Sequence, residues 1–409
     1  MKAIFMGLGY IGLPTAAVAA GKGIKITGVD VNPEVVDTIN QGKIHIVEPD
    51  LARLVKTVVT NGNLKAALQP EEADAFFIVV PTPFKQNHRA DISYVESATR
   101  MVIPYLRKGN LFVIESTSPV LTTEKMADII FKERPELKDT IYIAYCPERV
   151  LPGNVLYELE HNDRVIGGIN PESSDKAAAF YGQFVRGTLH KTNARTAEMC
   201  KLTENASRDA QIAFANELSM ICEKSGINVW DLIELANKHP RVKILQPGCG
   251  VGGHCIAVDP WFIVSDFPEQ AQIIKRARET NDYKADWCAN RVLEACAQFS
   301  HTTDKEPVVA CMGLAFKPDI DDLRESPAKY IASRIISEAN AEVLVVEPNI
   351  KSHKTFNLVS YQEAYTKADI VVWLVRHKEF IHMAVDSSKT ELDFCGIRKK
   401  MINNKRGHK

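Results

Sequence analysis

The sequence has almost no net charge: 50 Lys+Arg stand against 51 Asp+Glu, giving −1. That excludes a global field that would draw in nucleic acid or an anionic membrane, so an anionic ligand must be held by local groups. No apolar run approaches the roughly 18 residues a membrane helix needs, and no signal-peptide pattern follows Met1. The nine cysteines are odd in number and scattered, with no CxxC pair. This argues against a disulfide framework or a zinc ribbon, so no metal is expected, and a reducing, cytoplasmic setting is. What remains is ordinary globular composition, 25% charged and 45% hydrophobic over 409 residues, enough for two or three domains.

Residues 2–6 read as a buried strand, followed by Gly7-Leu8-Gly9-Tyr10-Ile11-Gly12 and the helix-forming run Thr15–Ala20. A second strand, Lys25–Val29, runs into Asp30. GxGxxG alone is a weak signal. In the order strand, GxGxxG, helix, strand, Asp it is a strong dinucleotide signature. Gly7 permits the tight turn, Gly9 the approach of a pyrophosphate, and Gly12 the packing of helix on sheet. Asp30 suits a ribose 2′-hydroxyl and repels a 2′-phosphate, so NAD is expected over NADP.

Further strands are expected at Ala75–Val80, Leu111–Ile114 and Thr140–Ala144, with Asp163–Ile169 as the last of this domain. Ligands of open α/β sheets sit beyond the carboxyl ends of strands. Thr82, Thr117 and Glu148 fall at such ends. The threonines serve equally well as turn residues.

A long helix is expected over 196–224, with Met199, Leu202, Ala206, Ala210 and Ala213 at helical spacing. Lys201, Asn205 and Arg208 share one face of it. A shorter helix over 228–237 ends at His239-Pro240-Arg241. Then comes Pro247-Gly248-Cys249-Gly250-Val251-Gly252-Gly253-His254-Cys255, with Asp259 four residues on. Four glycines in six residues let a backbone approach a bound group closely. On such a loop Cys255 reads either as a nucleophile or as a buried inert thiol. A helical stretch over 269–299 and a linker over 300–306 follow. The last segment reads as a second α/β unit without GxGxxG, its Ser326-Pro327 opening a helix to Glu338. Lys317 and Arg324 are phosphate candidates there. The basic stretch from Arg398 to the C-terminus reads as a frayed end.

Together GLGYIG, VPTP, EST, CPER, the Lys201/Asn205 helix, GGHC with Asp259, and GLAFKPDIDDLRESPA resemble the UDP-glucose/GDP-mannose dehydrogenase family over nearly the whole chain. HPRVKILQPGCGVGGHCIAVDPWFIV is most similar to the branch acting on UDP-N-acetylmannosamine; UDP-N-acetylglucosamine or another nucleotide sugar is the alternative. The resemblance implies an α/β fold with two Rossmann-like doubly wound domains joined by a long helix and a helical middle region. The expected division is 1–195, 196–300 and 301–409. It implies a homodimer and two NAD-dependent oxidations at carbon 6. By resemblance Cys255 is the nucleophile, with Lys201, Asn205, Asp259 and Glu148 in support. Tyr10, Ile11, Asp30, Thr82, Thr117 and Arg324 match cofactor contacts. Arg149, Val150, Arg208, His239, Arg241, Gly252, Phe316 and Lys317 match substrate contacts, with Arg241 reaching the partner's site. Two departures are visible. Pro152 stands where UDP-glucose dehydrogenases carry a second glutamate. Asp393-Phe394-Cys395-Gly396 lacks the basic residue of a D-x-R/K-G motif, for which Arg398 is a substitute. A non-catalytic NAD-binding regulator is the rival of another class, and the intact set Lys201, Asn205, Cys255, Asp259 speaks against it.

Overall fold

The computed structural model describes residues 1–85, 88–150, 153–253 and 255–398; Pro152, His254 and the chain beyond Arg398 lie outside the described residues. The chain forms two compact units, Met1–Glu204 and Asn205–Lys409.

The first unit is built on eight strands: β1 (Lys2–Met6), β2 (Lys25–Val29), β3 (Leu64–Ala67), β4 (Ala75–Ile78), β5 (Leu111–Ile114), β6 (Tyr142–Tyr145), β7 (Arg164–Gly168) and β8 (Leu189–Asn193). Their order is β3-β2-β1-β4-β5-β6-β7-β8. All pairs are parallel except β6 with β7. Order reverses at β1, which pairs with β2 on one side and β4 on the other, so the sheet is doubly wound. Side chains alternate between its faces. Phe5 and Phe77 stack at 4.5 Å in one core layer. Ile4, Phe76, Phe112 and Ile143 fill the other. With both faces covered, the central strands read as unbroken apolar runs.

Two features correct the sequence reading. β7 is not the last strand, because β8 pairs beside it, Arg164 opposite Leu189. β8 is Leu-His-Lys-Thr-Asn, half-buried to exposed, and its polar side chains hide it. β3 was not anticipated either; it pairs with β2 through Ile26 opposite Leu64.

The long helix runs Ala194–Lys224 and crosses from the first unit into the second. Near its start Glu198 is buried. It accepts hydrogen bonds from Leu121 N (2.7 Å), Thr123 N (2.7 Å) and Thr123 Oγ1 (2.6 Å). It thereby caps the helix Thr122–Glu133, whose own N-cap residue is Leu121 and offers no side-chain oxygen.

The second unit holds four parallel strands, β9 (Val308–Met312), β10 (Glu342–Val346), β11 (Ile370–Trp373) and β12 (Thr390–Asp393), ordered β10-β9-β11-β12. The helix Pro327–Glu338 follows β9, with Ser326 as N-cap accepting from Lys329 N and Pro327 in its first turn. The helix Gln272–Thr303 runs through most of the expected 300–306 linker, a further correction. Thr302 and Thr303 lie in its last turn, and their hydroxyls donate to Gln298 O and Phe299 O, four residues back.

Candidate active site

In the first unit the glycines divide the work as the motif requires. Gly7 has φ +100°, and a Cβ there would lie 2.4 Å from Val79 O. A Cβ on Gly12 would lie 2.0 Å from Gly7 O, so only glycine lets the helix Gly12–Gly21 close on the turn. A Cβ on Gly9 would meet nothing within 4 Å, which leaves open space where a pyrophosphate approaches the helix N-terminus. Asp30, half-buried, accepts Leu8 N on Oδ2 and Asn32 N on Oδ1, both at 3.0 Å. Tyr10 is exposed and Ile11 half-buried beside it. Thr82 Oγ1 donates to Thr117 O at 2.6 Å, so the loops after β4 and β5 meet beyond the strand ends. These residues fit NAD.

The second unit repeats this turn with a different outcome. Gly313 has φ +99° and donates to Val346 O (2.9 Å), as Gly7 donates to Val29 O (2.8 Å). Glu347 takes the place of Asp30, but it is buried and saturated by Leu314 N, Ala315 N, Asn349 N and His377 Nε2. Its carboxylate is therefore closed to a ribose. His377 beside it, opposing burial, holds it well down, to about 2.

The loop after β6 carries Glu148, Arg149 and Val150. Glu148 is nearly buried and pairs with the buried Arg164 at 2.9 Å. Arg149 bonds Glu204 (2.6 Å) and Asp163 O, and Val150 packs on the core. Behind them lies Glu115, the first residue of the EST motif, to which the sequence reading gave no role. It is buried at the end of β5, accepts the Tyr181 hydroxyl at 2.5 Å, and leaves Oε2 unpaired among the described residues. Burial pushes its carboxyl up to about 7, and the charge of Glu148 adds to this against Arg164. Because the folded value lies above the unfolded one, this group's contribution to stability is full below about pH 4.5 and is lost as pH rises through about 7. Glu115→Gln is expected to abolish that loss, its gain over the native chain growing from nothing near pH 4.5 to about 3 kcal/mol at about pH 7 and above. Calorimetry checks it, in the transition without a tryptophan signal, since all four tryptophans lie in the second unit.

On the long helix, Lys201 and Asn205 are half-buried and Arg208 exposed. Asn205 Nδ2 donates to Asp259 Oδ2 at 2.6 Å. Asp259 is buried and begins the helix Asp259–Asp266. Cys255 is exposed at the entry to this helix, and its carbonyl accepts Asp259 N at 2.8 Å. His239 and Arg241 are exposed, with Arg241 N donating to His239 Nδ1 at 3.3 Å. Lys317 is exposed, and Arg324 lies in the second unit, bidentate on Asp322.

The glycine loop differs from expectation. A Cβ on Gly252 would lie 2.6 Å from Glu325 O and 2.7 Å from Phe316 Cβ, and one on Gly253 3.0 Å from the Phe316 ring. Gly250 would meet Asn281 O at 2.8 Å. These three glycines seat the loop against its own unit, and only Gly248 has open space beside it. Gly248, Phe316 and Pro327 line a cavity of about 640 Å³ with Trp230 and Arg376.

Three family models of the UDP-glucose/GDP-mannose dehydrogenase family match in sequence: the NAD binding domain over residues 1–185, the central domain over 195–283 and the UDP binding domain over 310–402. The chain belongs to this family. It is an NAD-dependent nucleotide-sugar dehydrogenase. UDP-N-acetyl-D-mannosamine dehydrogenase of Escherichia coli (strain K12) is 56% identical, over 92% of this chain and 93% of that one. NDP-N-acetyl-D-galactosaminuronic acid dehydrogenase of Ralstonia nicotianae is 53% identical, over 96% and 95%. The solved UDP-D-ManNAc dehydrogenase of Pyrococcus horikoshii superposes with a TM-score of 0.87 at 37% identity, over 97% and 96%. Among the described residues no helix is long and apolar enough to cross a membrane.

Proposed function

We propose that this dehydrogenase oxidises UDP-N-acetyl-D-mannosamine twice at carbon 6, to UDP-N-acetyl-D-mannosaminuronate, through a covalent adduct on Cys255. NAD, when bound, supplies the hydride acceptor for both oxidations. In the first, the carbon 6 hydroxyl loses its proton and the carbon its hydride, leaving an aldehyde. The Cys255 sulfur then adds to that carbon as the thiolate, and the resulting alkoxide takes a proton to give a thiohemiacetal. Oxidation of this adduct leaves a thioester, and water cleaves it to the carboxylate and the thiol. Lys201 moves the hydroxyl proton and steadies the oxyanion. Asp259 orients the water, and Asn205 holds Asp259 and the reacting oxygen. Glu148, tied to Arg164, shapes the loop bearing Arg149 and Val150.

The observation that carries this reading is the Asn205–Asp259 hydrogen bond at 2.6 Å, on the helix that Cys255 leads into. The 56% identity to the Escherichia coli enzyme supports the manno substrate. The Ralstonia relative favours a second reading, a galacto-configured sugar. The proposal divides the labour as 1–195 for NAD, 196–300 for the cysteine loop and dimerisation, and 301–409 for UDP. It places the enzyme in the cytoplasm as a homodimer, with Arg241 and His239 serving the partner's site. Exposed Phe214, Ile221, Ile227 and Leu235 support a self-contact.

The test is NADH formed per sugar consumed, with the manno, gluco and galacto epimers in parallel. Two NADH with the manno epimer alone is the expected result. Two with another epimer overturns the substrate, and one NADH with released aldehyde overturns the role of Cys255.

A further inference from the structure

The cavity in the second unit presents one cation to its ligand. Its wall is mostly glycine, proline and apolar side chains, with Trp230 and Phe316 as aromatic surfaces and Gln246 as an uncharged polar one. Among the described residues Arg376 is the single cationic lining residue, and Glu234 the single carboxylate, lying 3.6 Å from Lys238 one helical turn away. A UDP moiety brings two or more negative charges into this space. They need fixed donors, because a diphosphate stripped of water without them is strongly disfavoured.

Arg376 follows β11, at the carboxyl end of the strands, where ligands of such sheets collect. Its Nε–H donates to Gly396 O at 3.1 Å. That carbonyl is itself fixed. Asp393 accepts the backbone N–H groups of Cys395 (3.1 Å), Gly396 (2.7 Å), Ile397 (3.0 Å) and Arg398 (2.9 Å), which winds the chain into a tight turn. Gly396 has φ +76°, and a Cβ there would press to 3.1 Å from the Trp230 ring. The turn thus sets the plane of the Arg376 guanidinium. Both Nη groups, with no acceptor recorded among the described residues, remain for a ligand. A guanidinium pinned at Nε and open at Nη matches two phosphate oxygens.

Arg398, the substitute expected for the missing basic residue, is committed elsewhere. It is bidentate on Glu391 (2.6 Å to each oxygen), donates to Met383 O at 2.6 Å, and lies 4.9 Å over the Trp373 ring. It does not line the cavity.

We infer that Arg376, oriented by the Asp393–Gly396 turn, is the residue that binds the diphosphate of the UDP-sugar. This rests on the UDP-sugar reading above. The test is calorimetric titration of the full chain with UDP and with uridine, for the native protein, Arg376→Met and Arg376→Lys. Arg376→Met is expected to weaken UDP by about 10- to 100-fold, the size of a lost charge-assisted pair of hydrogen bonds, and to leave uridine unchanged. Arg376→Lys is expected to recover part of the loss, with point-charge contact but no fork. Unchanged UDP affinity in Arg376→Met overturns the inference. So does an equal loss for UDP and uridine, which would assign Arg376 to the base or to the shape of the cavity. A native protein that binds neither ligand overturns the UDP reading itself, and is told apart by the native titration alone.

Discussion

Cys255→Ala is expected to stop uronate formation, by on the order of 10³-fold or more, while leaving no more than one equivalent of NADH per sugar. In the mechanism proposed above, the first oxidation does not use the thiol and the second requires the adduct. Quantifying acid and aldehyde products beside NADH checks this. Acid formed at the native rate would remove Cys255 from the mechanism. The other eight cysteines do not compete, because they are buried or half-buried. Burial pushes Cys146 and Cys311 up to about 12 and Cys296 to about 11, which keeps them as thiols at neutral pH. Limiting alkylation of the folded protein is accordingly expected to label Cys255 first.

Arg278→Met is expected to cost the second unit about 3–5 kcal/mol, because it strands a buried carboxylate. Arg278 and Asp209 are both buried and pair at 2.6 Å, and Arg278 also reaches Asp282. Asn281 donates to Asp209 Oδ1 at 2.8 Å, and Asn216 donates to Asn281 at 2.8 Å. Asn216 in turn accepts Gly248 N at 2.9 Å. The chain of bonds runs from the long helix through the helix Gln272–Thr303 to the start of the glycine loop. Its loss is felt both as stability and as position of the segment that leads to Cys255. Urea unfolding followed by tryptophan fluorescence reads this unit alone, since Trp230, Trp261, Trp287 and Trp373 all lie in it. A midpoint unchanged from the native chain would mean the pair contributes nothing. Replacing both partners, Asp209→Leu with Arg278→Met, is expected to recover part of the loss, as no buried charge is left alone.

Much of this was written in local chemistry. Gly7 and Gly12 are positions a Cβ could not occupy, as their spacing predicts, because that requirement is set by backbone sterics at a single turn. Ser326-Pro327 announces its helix, because a cap and a fixed φ are properties of two adjacent residues. The apolar runs of β1, β4 and β5 announce a sheet covered on both faces. By contrast β8 carries no such run and becomes a strand through its pairing with β7. The glycines at 250, 252 and 253 read as an approach to a ligand, but they face Asn281, Glu325 and Phe316. Which neighbour excludes a Cβ is a matter of which distant segment folds against it.

The sequence by itself determined the family, the NAD turn and the candidate nucleophile, because those depend on residue type and short spacing. Only the tertiary structure decided which charges are used up and which are left for chemistry. Asp30 and Glu347 end matching strands, yet one stays half-exposed and the other is buried and saturated. Arg398 is spent on Glu391, while Arg376 lines the cavity and is held at Nε by Gly396 O. Glu115 acquires its raised pKa from burial and from the charge of Glu148, against the opposing pull of Arg164 and Tyr181. The physical reason is the same in each case: desolvation and pairing are set by neighbours far apart in the chain, and no local pattern encodes them.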